Sequence, residues 1–283
     1  MLANALQGDP PRIEADEPGA PALPFQIAGG SIPGQAHVAA GRNNQDAFAW
    51  EANAAGMAAV VCDGCGTAPH SEVGARLGAR LVARSAARLL ALDLDPADLL
   101  ERVRRDVLWR LRLLATGMSA DASSFARTVV DHFLFTVVGA LATRRWVTTF
   151  SLGDGLVVLD GERLRLGPFP GNEPPYLGYA LLDAGGREHP FELHRPVPVE
   201  GARWLLLATD GAVDLEALAD RAVHGREERV GPLGQFWTDD RFFRNADMVR
   251  RRLAVVSRGA RGGLLPDDTT IVVLRRRGRE GRP

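Results

Sequence analysis

An α+β architecture built on antiparallel sheets is what this sequence predicts, and two observations carry the prediction. Short apolar, β-branched runs are broken by two adjacent helical stretches instead of alternating with single helices. That order argues against a doubly wound parallel sheet. The runs also end in Asp-Gly turn dipeptides, as strands of an antiparallel sheet do.

Residues 1–24 are rich in Pro, Ala and Gly and carry scattered acids, so they are expected to be a loose tail. Residues 37–48 read as strand ends around a polar turn. Residues 57–62, MAAVVC, form an apolar run closed by Asp-Gly and read as a buried strand. Two helices follow. In the first, Val73, Leu77, Leu81 and Leu89 recur at helical spacing, and Arg76, Arg80, Arg84 and Arg88 line another face. Gly74-x-x-x-Gly78 in this helix signals close packing. The second helix has Asp95 as N-cap and Pro96 as first residue. It places Leu99, Val103, Val107, Leu111 and Leu114 on one stripe, and its arginines read as a solvated face. A polar loop is predicted over 115–127.

The period then changes. Residues 131–143 are rich in aromatic and β-branched side chains and read as a long strand. Further strands are expected at 146–151, 156–159, 163–166, 204–209 and 270–274, and a helix over 239–256. Residues 167–179 hold four prolines and are expected to be an irregular surface flap. A basic tail closes the chain. The predicted organisation is a tail at 1–24, one domain over 25–275 and a tail at 276–283.

Composition removes several functions. Lys and Arg total 34 against 35 acids, a net charge of −1, so no global basic field exists to hold nucleic acid. All the basic residues are Arg. Without lysine, neither P-loop phosphate binding nor Schiff-base chemistry is available. The two cysteines, Cys62 and Cys65, make neither a disulfide framework nor a four-cysteine zinc site. Cys62 is expected in the core and Cys65 near solvent. No apolar run is long enough to span a membrane. The first residues lack the basic start of a secretory signal, so a cytoplasmic location is expected.

Acids recur at the strand ends: Asp46 in Asn43-Asn44-Gln45-Asp46, Asp63-Gly64, Gly153-Asp154-Gly155, Thr209-Asp210-Gly211 and Asp267-Asp268. Each alone is a turn signal. As a set, carboxylates at strand tips can converge at one end of a sheet, where they repel unless cations sit between them. Oxygen-only ligation points to Mg²⁺ or Mn²⁺, and such metals can activate water for phosphoester hydrolysis.

In these motifs and their order, from about His37 to Leu274, the chain resembles the metal-dependent protein Ser/Thr phosphatases of type 2C, in a bacterial stand-alone form. The resemblance implies a sandwich of two antiparallel β-sheets flanked by helix pairs, in α-β-β-α layers. It implies two core Mn²⁺ or Mg²⁺ ions, with Asp63 bridging them. Asp210 and Asp267 would complete the first site, the Gly64 carbonyl would serve the second, and Asp46 would act through bound water. Asp154 and Asp214 would hold a third, looser metal. The implied reaction is attack of a metal-bridging water on phosphoserine or phosphothreonine, with Asp63 and Asp46 as the catalytic acids. The implied partners are phosphoproteins made by a Ser/Thr kinase, with neither nucleic acid nor membrane involved.

Three positions depart from the family pattern. Gln45 stands where many relatives have Glu, and an amide gives a metal less charge. The phosphate-gripping Arg falls one residue late, at Arg42 after Gly41, which on a strand reverses the face. Cys65 stands where some relatives have His. His37 is a second candidate phosphate contact, and His70 reads as an exposed loop residue. These departures keep open an alternative: a weakly active or inactive relative that binds phosphoproteins or a regulatory partner.

Overall fold

The computed structural model describes residues 24–182, 189–258 and 264–277. The expected tails therefore lie almost wholly outside the described residues. Arg276, placed in the basic tail by sequence, is the last residue of a strand.

In chain order, β1 is Phe25–Ile32, α1 is Gln35–Ala39, β2 is Ala47–Ala52 and β3 is Gly56–Cys62. Then come α2 (Ser71–Leu90), α3 (Pro96–Met118), α4 (Ala122–His132), β4 (Val137–Thr143), β5 (Trp146–Leu152), β6 (Gly155–Leu159) and β7 (Glu162–Leu166). The rest comprises α5 (Tyr179–Leu182), β8 (Glu192–Leu193), β9 (Val197–Pro198), β10 (Trp204–Ala208), α6 (Gly211–Ala217), α7 (Gln235–Thr238), α8 (Arg241–Arg244), α9 (Met248–Val256) and β11 (Thr269–Arg276). One sheet has the order β1-β11-β10-β6-β7; the other runs β2-β3-β4-β5-β8, with β9 also on β5. Every strand pair is antiparallel.

The two-residue period of a strand explains why the central runs are apolar throughout. In β3, Met57, Ala59 and Val61 face the other sheet, where Leu205, Leu207, Val272 and Leu274 meet them. The alternate residues Ala58, Val60 and Cys62 pack under the α2–α4 layer. In β10 and β11, Leu206, Ala208, Ile271 and Val273 pack under α6–α9. Both faces of both sheets are covered, giving the four-layer α-β-β-α sandwich.

Several local expectations change. Residues 37–48 begin as a helical turn, α1, because the Gln35 and Ala36 amides bond to the Leu265 and Pro266 carbonyls. The polar stretch 115–127 is not a loop: α3 runs to Met118, and α4 starts under an Asp121 capping box closed by Ser124. The strand expected from 131 starts only at Val137. The single helix expected over 239–256 is two, α8 and α9. Gly74-x-x-x-Gly78 does mark close packing. A Cβ at Gly74 would lie 2.1 Å from the His132 carbonyl oxygen, and one at Gly78 2.3 Å from the Phe135 ring. No helix is long and apolar enough to cross a membrane among the described residues.

Candidate metal centre

Register alone brings the acids to one end of the sandwich. Ala47 pairs Cys62, Val61 pairs Val138, and Val137 pairs Leu152. Hence Asp46 before β2, Asp63 after β3 and Asp154 after β5 share an end. In the facing sheet Ala208 pairs both Ile271 and Leu156, so Asp210 after β10 and Asp267 before β11 join that end.

The backbone around the acids is tightly tied. The Thr136 amide donates to the Asp63 carbonyl at 2.8 Å, and the Gly64 amide to the Gln45 carbonyl at 3.2 Å. A Cβ at Gly64 would meet Ser71 Oγ at 2.8 Å and the Gln45 carbonyl oxygen at 2.9 Å, so this position has room only for glycine. Thr209 Oγ1 donates to Asp46 Oδ2 at 2.6 Å and accepts from the Thr270 amide at 3.0 Å. Asp268, to which the sequence reading gave no role, is a buried brace. It accepts from the Gly34 amide on Oδ1 and the Gln45 amide on Oδ2, each at 2.6 Å. The Asp-Asp doublet was the available signal: two adjacent acids before a strand point to opposite sides.

Five carboxyls sit above the usual carboxylate range. Burial raises Asp63 well above it, and Asp46, Asp210, Asp267 and Asp154 add to the rise. Burial raises Asp46 likewise, then Asp268, against hydrogen bonds from Thr209 and Thr270. Asp210 is pushed up to about 7 by burial, then by Asp267 and Asp154, with Asp214 adding less. Asp267, though exposed at the rim, and Asp154 are raised by partial burial first. Among the described residues no arginine forms an ion pair with any of these five. Asp214, in the first turn of α6, acts on both Asp210 and Asp267.

This donor set fits divalent cations. It consists of oxygens, it is uncompensated, and one buried oxygen, Asp154 Oδ1, has no hydrogen-bond partner. Such an atom costs free energy unless something binds it. His37, Asp267 and Asp268 also offer ligand atoms within 4.8 Å of one another.

The two candidate phosphate contacts are held elsewhere in part. Arg42 donates from Nη1 to the Gly66 carbonyl at 2.6 Å and from Nη2 to the Ala68 carbonyl at 2.7 Å. It clamps the loop after Asp63. His37 Nδ1 lies 2.8 Å from Asp268 Oδ1 as a close contact rather than an aligned hydrogen bond. Gln45 donates from Nε2 to Ser71 Oγ at 2.6 Å, tying the first turn of α2 to the site. His70 is exposed and stacks on His132. Cys62 is buried as expected; Cys65 is buried too, against the expectation of solvent. Its thiol lies 3.2 Å from Thr67 Oγ1, and Tyr176 packs beside it.

The loop over 167–179 lies beside the acids and forms no strand. A Cβ at Gly167 would sit 3.2 Å from Asp154 Cβ. It is not a free surface flap throughout, however, because Leu177 is fully buried and its amide bonds to the Phe135 carbonyl.

An antiparallel sandwich between helix layers, with an uncompensated acid cluster at one end, defines the class of metal-dependent protein phosphatases. The chain belongs to the protein phosphatase 2C family, whose profile matches residues 33–239. Asp267 and Asp268 lie beyond the matched stretch and enter the site through β11. No curated protein sequence matches. Among solved structures, the chain is similar to a mutant bacterial serine phosphatase at 14% identity and TM-score 0.50, covering 90% of this chain and 99% of that one. It is similar to the serine/threonine phosphatase Stp1 from Staphylococcus aureus at 15% identity and TM-score 0.50, covering 92% and 97%. The catalytic domain of the phosphatase PstP, in complex with two manganese ions, matches at 18% identity and TM-score 0.44, covering 89% and 97%. At such identities the first two likenesses are ones of fold.

Proposed function

We propose that this chain is a divalent-metal-dependent phosphatase acting on phosphoserine and phosphothreonine in proteins that a Ser/Thr kinase has modified. The observation that carries the reading is the convergence of Asp46, Asp63, Asp154, Asp210 and Asp267, all with raised pKa and none paired to an arginine. In this reading Asp63, Asp210, Asp267 and the Gly64 carbonyl would hold the two core ions. Asp46 would act through water, and Asp154 with Asp214 would hold a third ion. Bound Mn²⁺ or Mg²⁺ supplies Lewis-acid activation of the attacking water and offsets charge on the phosphoryl oxygens. The protein's own work is positioning. Thr209 fixes the Asp46 carboxylate, and Asp268 pins the Gly34 and Gln45 amides on either side of the site.

A second reading, a weakly active relative that mainly binds phosphoproteins, has one observation in its favour. Both terminal nitrogens of Arg42 are spent on backbone carbonyls. Hydrolysis of p-nitrophenyl phosphate and of a phosphothreonine peptide, with Mn²⁺ and then with EDTA, separates the two. The first reading expects turnover with Mn²⁺, none with EDTA, and a loss of about a hundredfold or more in Asp63→Asn, which keeps the shape and removes the charge. Near-normal turnover in that variant refutes the bridging role.

A further inference from the structure

Helix α2 carries four arginines at four-residue spacing: Arg76, Arg80, Arg84 and Arg88. All four are exposed. Arg88 pairs with Asp106 of α3 at 3.2 Å. The other three have no hydrogen bond or ion pair among the described residues. Like charges four apart on a helix repel and cost stability. The one acid on this row, Glu72 four residues before Arg76, accepts a hydrogen bond from Asn43. The rest of α2 shows no such neglect: its buried faces are small residues packed on β2, β3 and α3.

The helix that carries the ridge starts beside the acid cluster. Ser71, the first residue of α2, receives a hydrogen bond from Gln45 and packs on Gly64. Glu72 holds the Asn43 amide at 2.9 Å. Arg76 follows Glu72 by one helical turn. Four helical residues rise about 6 Å, and two residues of an extended chain span about 6.6 Å. Alternate side chains of an extended peptide therefore keep step with Arg76, Arg80 and Arg84.

We infer that the Arg76–Arg80–Arg84 ridge is a docking track for an extended, acidic segment of the phosphoprotein substrate. Arg76 is five helical residues, about 7.5 Å, past Ser71, so the acids of that segment alternate along the chain from about three extended residues beyond the phosphorylated side chain. The inference rests on the phosphatase reading of the acid cluster. A peptide fits better than a nucleic acid, because the track is one short row on a chain of net charge −1. The added affinity is electrostatic and weakens with salt.

The test compares phosphothreonine peptides bearing Glu or Ala at the third, fifth and seventh positions on either side. At low salt with Mn²⁺, kcat/KM is expected to be about tenfold higher for one acidic peptide, as three exposed pairs of ordinary strength would supply. The ratio should fall towards one in the Arg76→Gln, Arg80→Gln, Arg84→Gln triple variant. In the corresponding triple Glu variant it should favour peptides with Arg at those positions. Thermal melting separates docking from structure, since removing repelling charges should not lower Tm. Equal rates for acidic and neutral peptides in a wild-type protein that hydrolyses p-nitrophenyl phosphate overturn the track and leave the phosphatase reading intact. If the wild type hydrolyses nothing, the phosphatase reading fails. Fluorescence anisotropy of the same peptides then decides the track: tighter binding of an acidic peptide, lost in the triple Gln variant, supports it, and equal binding overturns it. Arginine-dependent binding of RNA or anionic vesicles without preference for the acidic peptides overturns it as well.

Discussion

One oxygen of Asp154 is buried without a partner in the turn between β5 and β6, and burial raises its pKa. Asp214 stands in the first turn of α6, where it acts on Asp210 and Asp267. A place in the first turn of α6, where the helix dipole favours an acid, would explain Asp214, but it leaves the orphaned oxygen of Asp154 unexplained. Two carboxylates and water make a poor cage for Mg²⁺, so a metal shared by them should need a high concentration. In Asp154→Ala, the low-affinity phase of metal activation is expected to weaken while tight binding at the core persists. Metal titrations of wild type and variant that superimpose would remove this third site. Asp63 differs in kind. Among the described residues its carboxylate accepts no hydrogen bond, and it feels four other carboxylates, so no described group offsets its charge.

At the scale of elements, α2 links packing to the site. It lies close enough to the β3–β4 region that Gly78 faces the Phe135 ring, and Phe135 is itself fully buried and paired through Gly64. Gly78→Ala should therefore cost about 1–3 kcal/mol by overpacking, less about 1 kcal/mol regained in helix propensity. Urea unfolding reads this directly, and an unchanged midpoint would show that the Phe135 ring can swing aside. Gly74 is stricter, since its obstacle is the backbone carbonyl of His132. That carbonyl belongs to the last turn of α4, a helix absent from the sequence reading. Its polar residues 122–127 look like a loop because α4 buries only Val129. Its Ser and Thr residues favour caps and turns over helix interiors, which disguises a helix of only 11 residues.

Across the whole molecule, five raised carboxyls make stability depend on pH in a definite direction. A raised carboxyl favours its protonated form in the folded state. Its contribution is present below the ordinary value of 3.8 and is lost as pH rises through the folded value, about 7 for Asp210. The metal-free protein should thus melt at a lower temperature at pH 8 than at pH 5. His194 works the other way, because burial lowers its pKa, but it is one group and lies outside the acid cluster. Mn²⁺ at a hundred times its Kd should add about 2.7 kcal/mol, and at one fixed Mn²⁺ concentration the gain should be larger at pH 8, where the acids are ionised. Melting curves with EDTA and with Mn²⁺ at both pH values check this. A metal-induced shift that is absent, or equal at both pH values, would contradict an uncompensated acid cluster.

The sequence by itself determined the antiparallel α+β class, most of the strands, and the acids at their tips. These features are local: a two-residue period, a helical period and turn dipeptides are written in neighbouring residues. It also marked Gly74 and Gly78 as close-packing positions. The tertiary structure decided what neighbouring residues cannot encode. Register brought Asp46, Asp63 and Asp154 to the same end as Asp210 and Asp267, residues more than 140 positions away from Asp63. It made Asp268 a brace for amides at Gly34 and Gln45, turned Arg42 onto the Gly66 and Ala68 carbonyls, and buried Cys65. For Asp268 and Arg42 the physical reason is shared. A polar side chain takes whichever partner the packed fold brings within hydrogen-bond reach, and burial sets how much that partner matters.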